Sequence, residues 1–515
     1  MSWNAWVPLL VVMSSLLPGL IIFGLAEDKA RLRIALNLFG ALSKLVLVSW
    51  MIWGVYQGYH YETRLPLLPN LELVLRAGPL ALLFVSLSTI LWLVTTVYAI
   101  GYLEDSPHRS RFFGFFSLCV TATVGVALAG NLITFLLFYE LLTLATYPLI
   151  VHRGTEEARQ AGQTYLRYTI SGGALLLIGT VWLYSLTGTL EFTPKGFLSN
   201  VGEQHYPALI TIFALLIAGL GVKAALFPLH GWLPQAMIAP APVSALLHAV
   251  AVVKAGAFGI IRVVYDVFGV EFSAALGVLA PLAWLAAFTI IYGSLRALFQ
   301  DDLKRRLAYS TISQVSYIAL GVAIAGPIAT IGGVVHLVHQ GLMKITLFFC
   351  AGNLAETLGI HKISEMNGVG RRMPWTMAAF TIGAFGMIGA PPIAGFISKW
   401  YLGLGALNTG QSWVILVLAG SSLLNAAYFL PILHRAWFMP PPESWPHEHP
   451  DKHKGEHKGE HRDKHYWGHK ETAWALLLPP LVTAAMALAA GLLVTLPFSP
   501  LEWAKLISVR EFYQP

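Results

Sequence analysis

Eight ionisable side chains lie where an apolar chain has least use for them. Glu140, Lys223, His248, Lys254, His336, His339, Lys344 and Lys399 each sit inside runs of aliphatic and aromatic residues. A charge at mid-bilayer depth costs roughly 2.5–3.5 kcal/mol by insertion measurements and more by simulation. Such residues persist where they face an internal cavity, pair with an opposite charge or carry protons. Carboxylate, amine and imidazole are the groups a proton relay needs, because burial and neighbours tune each one's hold on a proton.

Glu140 occupies the middle of LITFLLFYELLTLATYPLI. Alone there it is protonated or paired, as a relay member or as a helix–helix hydrogen bond. Lys223 comes five residues before Pro228, whose ring removes a helical donor and frees the Ala224 carbonyl. Freed backbone inside a membrane requires protein or a wet cavity beside it, so a hydrated kink is expected at Lys223. An amine balanced there between burial and a carboxylate changes protonation state when its partner moves; a static Lys–Glu staple is the plainer alternative. His248 and Lys254 share the next apolar run, six residues apart. On a continuous helix they diverge by about 120°, which suits a sideways handover or two unrelated contacts. In GGVVHLVHQGLMKITLFFCAGN, His336, Gln340 and Lys344 fall at i, i+4 and i+8, one polar stripe with His339 beside it. Pro391 and Pro392 interrupt GAFGMIGAPPIAGFISKWYL, and Lys399 follows. It is either an exit group or a lysine snorkelling to headgroups beside Trp400 and Tyr401.

The elements that must position these groups are spanning helices. Of 515 residues 56% are hydrophobic and 11% charged, against about 25% charged in soluble domains. The expected class is an all-α polytopic membrane protein. Apolar windows place helices near 5–25, 33–56, 78–101, 112–130, 132–151, 165–187, 207–228, 240–265, 273–297, 307–325, 329–354, 374–399, 412–434 and 472–496, about fourteen spans. The first run lacks a basic leader and reads as a spanning helix, not a cleavable signal. The net charge of +7 lies mainly in short loops, where it orients the chain and does not point to nucleic acid. Alternate loops carry Lys29, Arg31 and Arg33; Arg109 and Arg111; Arg153 and Arg159; Lys304, Arg305 and Arg306; Lys362, Arg371 and Arg372. That bias puts these loops in the cytoplasm and both termini outside. Proline interruptions near Lys223 and Lys399 predict broken seventh and twelfth helices, the pattern of two inverted repeats. The expected organisation is N-terminal helices over 1–111, half-channel repeats over 112–265 and 273–434, a loop over 440–470, and a last helix and tail over 472–515.

That loop is the one segment unlike a membrane. His449, His453, His457, His461, His465 and His469 recur every four residues. On a helix they would share a face fit for a transition metal. Gly455, Gly459, Gly468 and the flanking prolines oppose a helix, so a solvated linker is the expectation. Cys119 and Cys350 lie in apolar runs and form no metal or disulfide motif. No cofactor is expected.

Five stretches carry a family likeness: FYELLTLATYPL, KAALFPLHGWLPQAMIAPAPVSALLHAVAVVKAG, DDLKRRLAYSTISQVSY, HLVHQGLMKITLFFCAG and GAPPIAGFISKW. With them the chain resembles the antiporter-like membrane subunits of respiratory complex I, membrane-bound hydrogenases and Mrp-type sodium/proton antiporters. HQGLMKITLFFCAG and MPWTMAAFTIGAFGMIGAPPIAGFISKWYL make it look most like the D-type Mrp subunits. The resemblance implies an ion pair of Glu140 with Lys223, a central lysine at Lys254, and Lys399 facing the outer exit. It puts His248 and the His336–Lys344 stripe on the hydrophilic axis between half-channels. Many relatives read H-x-x-N-H-A in the eleventh helix; here Gln340 departs from that pattern, and the bridging histidine is left open between His336 and His339. The implied function is proton translocation in a multi-subunit Na+/H+ antiporter of a bacterial cytoplasmic membrane. It is a transport subunit and not an enzyme, with other membrane subunits as partners. The alternatives are a redox-driven complex I-like or hydrogenase-like complex, or an inorganic-carbon uptake system.

Overall fold

Long apolar runs become helices because a helix satisfies every backbone hydrogen bond within its own segment. A computed structural model describes residues 3–69, 71–104, 106–199, 201–448 and 471–513. The histidine repeat from His449 onward lies outside these described residues. Helices α1 (Trp3–Phe23) and α2 (Ala30–Tyr56) lead into an antiparallel hairpin, β1 (Glu62–Leu68) and β2 (Leu71–Arg76). Then come α3 (Pro79–Tyr102), α4 (Arg109–Leu128), α5 (Leu132–Ile150), α6 (Glu156–Thr187) and α7 (Tyr206–Lys223). The short α8 (Trp232–Gln235) precedes α9 (Ala241–Ala249), α10 (Val252–Arg262), α11 (Val270–Ala275) and α12 (Leu279–Leu298). The remainder holds α13 (Leu303–Ala323), α14 (Pro327–Leu358), α15 (Val369–Arg372), α16 (Pro374–Ile388) and α17 (Ala394–Asn408). It closes with α18 (Trp413–Phe438), α19 (Trp474–Leu492) and α20 (Pro500–Ile507).

Among the described residues twelve segments are long and apolar enough to cross a membrane, and the chain is an all-α multi-pass membrane protein. Two of them, Ala241–Phe268 and Pro327–Leu358, are buried along their whole apolar windows, unlike any other. They form the axis on which the rest packs. Helix α10 packs against both α7 and α13; α14 touches α9, α13, α16, α17 and α19.

Several boundaries differ from expectation, each for a local reason. The span expected over 207–228 ends at Lys223. Ala225 turns left-handed at φ 56°, and the Leu226 and Ala225 N–H groups bond back to Gly221 O at 2.9 Å and Val222 O at 3.2 Å. That is a Schellman stop, reached before Pro228. The span expected over 240–265 is two helices, α9 and α10, divided at Val250 and Ala251, where the Ala251 N–H reaches back to Leu246 O at 2.9 Å. The β-branched Val250, Val252 and Val253 weaken helix propensity there. Consequently the 120° angle between His248 and Lys254, which assumes one helix, is superseded. The span expected over 374–399 is α16 and α17, separated where Gly389 adopts φ 97° and two prolines supply no donors. Helix α6 starts ahead of its expected position, at Glu156, because Thr155 caps it by accepting the Ala158 N–H at 3.2 Å. The hairpin between α2 and α3 is not among the expected elements.

Candidate functional site

The first group forms where α5, α6 and α7 meet. Gly172 and Gly219 let α6 and α7 approach backbone to backbone, since a Cβ on Gly219 would stand 2.6 Å from Gly172 O. Tyr139, on α5, donates its hydroxyl to Gly219 O at 3.1 Å. Its carbonyl accepts from Lys223 Nζ, and its ring centroid lies 3.4 Å from that ammonium, a cation–π seat. Glu140, one residue on, points instead toward Gly173, and its buried Oε1 has no hydrogen-bond partner. Carboxylate and ammonium are therefore neighbours not in contact. The implied ion pair is open, with Lys223 held on Tyr139. Where α7 stops, Trp232 Nε1 donates to the Val222 carbonyl at 2.7 Å.

Gly256, two residues from Lys254, carries α10 onto the end of α7; a Cβ there would overlap Ala224 N. Lys254 lies about half a turn earlier on α10, on the face away from that contact. Its Nζ is wholly buried and without a hydrogen-bond partner. His248 stacks on Phe348 at 4.5 Å between centroids, and both ring nitrogens are unpartnered. The same holds for both nitrogens of His339 and for the amide of Gln340. These four residues, on α9, α10 and α14, are buried polar groups without a hydrogen-bond partner among the described residues.

Beyond them the polar atoms are connected. His336 Nδ1 shares a 2.7 Å hydrogen bond with Ser398 Oγ, while its Nε2 is unpartnered. Lys344 donates to Ser310 Oγ at 2.8 Å; the Tyr428 hydroxyl donates to Asn425 Oδ1 at 2.5 Å and shares a 2.9 Å hydrogen bond with Ser310 Oγ. Asn425 Nδ2 donates to Met387 O at 3.0 Å. Lys399 donates to Met387 O at 3.0 Å, Ile388 O at 2.8 Å and Ser422 Oγ at 2.9 Å. The last two carbonyls of α16 are orphaned by its end, and the helix dipole favours a cation there. Lys399 is accordingly turned inward onto α16 and does not snorkel outward. Pro391 and Pro392 lie in the turn that exposes those carbonyls; Pro228 lies in the turn after α7.

All eight singled-out side chains fall on or beside the two buried spans or the α5–α7 junction. Sequence reading missed the groups that connect them: Tyr139, Trp232, Ser310, Gln314, Ser398, Asn425 and Tyr428. Ser310, Gln314 and Tyr317 at i, i+4 and i+7 of α13 were a legible stripe. The carbonyls of Tyr139 and Met387 had no signal, being backbone. Among the described residues no group of three His, Cys, Asp or Glu is placed to hold a metal, and both cysteines are buried and free.

Residues 129–425 match the family described as NADH:quinone oxidoreductase/Mrp antiporter, transmembrane. NADH-quinone oxidoreductase subunit N of Desulforudis audaxviator is 38% identical over 378 residues, 72% of this chain and 73% of that protein. The D-type Na(+)/H(+) antiporter subunit of Bacillus subtilis is 32% identical over 370 residues, 71% of this chain and 73% of that one. The fold matches a chain of the Mrp complex from Dietzia sp. with a TM-score of 0.85 at 23% identity, covering 99% of this chain and 98% of that one. It also matches a chain of the archaeal membrane-bound sulfane sulfur reductase, with a TM-score of 0.82 at 25% identity and coverage of 98% and 97%.

Proposed function

The chain belongs to the NADH:quinone oxidoreductase/Mrp antiporter transmembrane family, and from that premise we propose that it is the proton-translocating subunit of a multi-subunit Na+/H+ antiporter. The observation that carries the proposal is the buried polar axis. It begins at Glu140 and Lys223, passes the unpartnered Lys254, His248, His339 and Gln340, and ends in the Lys344–Ser310–Tyr428–Asn425–Met387–Lys399 network. Lys223 seated on Tyr139 is one state of the first switch; Lys223 paired to Glu140 is the other. Fourteen spans result when α13 and the α16–α17 pair are counted with the twelve apolar segments. The stops after Lys223 and at Gly389 then break the seventh and twelfth helices of two inverted repeats, 112–265 and 273–434. Protons enter past Glu140 and leave past Lys399, or the reverse, in a bacterial cytoplasmic membrane with both termini outside. Other membrane subunits complete the path for the cation.

The direct test is cation-driven pH-gradient formation in vesicles holding the assembled complex. Glu140→Ala and Lys223→Ala are expected to abolish it while the complex still assembles; wild-type activity in either variant would sink the role. A second reading, a proton-pumping subunit of a redox-driven complex, is favoured by the 38% identity to a quinone oxidoreductase subunit, above the 32% to the Bacillus subtilis antiporter chain. A subunit inventory of the purified complex separates the two.

A further inference from the structure

A cavity of about 410 Å3 opens between α2, α3, α14, α19 and the turn that leads into α20. Its walls include Leu83, Leu87 and Ile90 of α3, Val338 and Leu342 of α14, and Met486 of α19. Trp503, at one end, donates its Nε1 to Pro79 O at 2.8 Å, the first carbonyl of α3. From Pro79 to Ile90 is eleven residues of helix, about 16 Å. Over that length the mean section is about 25 Å2, against about 80 Å2 for a helix 10 Å across. The space admits a thread and not a helix. The polar side chains in its lining are already engaged: Ser86 donates to Leu82 O at 2.5 Å and Ser499 to Val494 O at 2.7 Å. Water needs two to four polar partners to settle, and a quinone head needs a donor; the lining spares neither. Its walls lie within spanning segments, where the surrounding solvent is hydrocarbon.

The Trp503 end of the cavity carries the marks of a headgroup boundary. Phe498 packs on Tyr56 at 4.9 Å, on Trp503 at 6.1 Å and on Trp53 at 6.3 Å between centroids. Such aromatic clusters gather where hydrocarbon gives way to headgroups. Helix α20 buries Leu501, Trp503, Ala504 and Ile507 and turns Glu502 and Lys505 outward, as an interfacial helix does. Arg510 follows it and donates to Val55 O at 2.9 Å and Tyr56 O at 3.2 Å, at the end of α2. Lys505 is paired with Glu502 at 2.7 Å, whereas Arg510 bonds to carbonyls alone among the described residues. Carbonyls hold a guanidinium in place without cancelling its charge. Two of its five N–H groups are used, and the fork suits a phosphate.

We propose that this cavity holds one acyl chain of a phospholipid whose phosphate rests on Arg510. The chain enters past Phe498 and Trp503, runs along α3 and ends against Val338 and Leu342 of α14. Those two residues share a face of α14, beside His339 of the polar axis. A chain leaving the bilayer for this space gains no hydrophobic energy; it gains contacts with walls that otherwise face a void. Selection therefore falls to the headgroup contact. The site stands apart from the transport reading, since nothing in it requires ion movement.

The test is photolabelling of the assembled complex, reconstituted with a phospholipid that carries a diazirine at the end of one acyl chain. After illumination, adducts are expected on residues 338–342 of α14 and 83–90 of α3, enriched over the exposed Leu416 and Leu423 face of α18. Leu83→Trp narrows the cavity and is expected to remove those adducts. Arg510→Gln is expected to weaken them, and Arg510→Lys to retain them. A diacylglycerol with the same labelled chain, lacking the phosphate, is expected to label the cavity less than the phospholipid. Adducts confined to exposed faces, or a side chain of another subunit cross-linked inside the cavity, would overturn the site. So would equal labelling of wild type and Arg510→Gln, or of phospholipid and diacylglycerol.

Discussion

Lys254 and Lys399 show how differently one residue type can be held. Lys399 donates to two carbonyls at the end of α16 and to Ser422, Lys344 to the Ser310 hydroxyl and, at 3.4 Å, to Leu307 O, and Lys254 to nothing among the described residues. A relay needs this gradation: held groups set the geometry, and an unheld one receives a proton carrier or water. Ser310 is the joint between Lys344 and Tyr428, so Ser310→Ala should cut proton movement without unfolding a helix. Hydrogen bonds to charged groups contribute about 1.5–3 kcal/mol, so if that loss falls on the transfer step the rate drops roughly 10- to 100-fold. Unchanged transport rates in the Ser310→Ala complex would remove that link. The eight titratable residues were legible because a charge inside an apolar run stands out. Their partners were not, because a buried serine or tyrosine is ordinary in composition and a backbone carbonyl has no sequence signature at all.

At the scale of elements, helix existence was legible from apolar runs, and stops were not. Lys223 ends α7 through an alanine in the left-handed region, a position where glycine would have been the visible signal. The hairpin β1–β2 was hidden because its alternation is short and its two strands belong to one interhelical loop. Its arginines explain it. Arg64 reaches Glu62 at 2.5 Å, Glu72 at 2.9 Å and Glu191 at 2.6 Å; Arg76 reaches Glu62 at 2.5 Å and Glu191 at 3.2 Å. The Arg64 hydrogen bond, ahead of opposing burial, holds the Glu191 carboxyl below its ordinary pKa. Burial raises Glu62, but Arg76 and Arg64 together outweigh it and lower that pKa as well. Folded values below unfolded ones mean the clamp is fully present above the ordinary carboxylate pKa of about 4 and is lost as pH falls through the folded values. Amide exchange across 62–76, corrected for intrinsic rates, should therefore be flat from about pH 7 to about pH 5 and rise below about pH 4. Exchange that loosens on going alkaline would contradict the clamp.

Across the whole molecule, the two spans buried along their whole apolar windows, Ala241–Phe268 and Pro327–Leu358, carry His248, Lys254, His336, His339, Gln340 and Lys344. Their sequences announced burial by being apolar all round, and announced function by the few residues that broke that rule. The family likeness was legible as well, and the match over residues 129–425 establishes it. Which helices bring the polar groups together was not legible, since that depends on α10 packing against both α7 and α13. The proposed function requires one continuous relay that passes through Lys254. The most direct measurement is cation-driven pH-gradient formation by the assembled Lys254→Met complex in vesicles. The relay predicts that the gradient is lost although Glu140, Lys223 and Lys399 are all present; a gradient formed at the wild-type rate would contradict it.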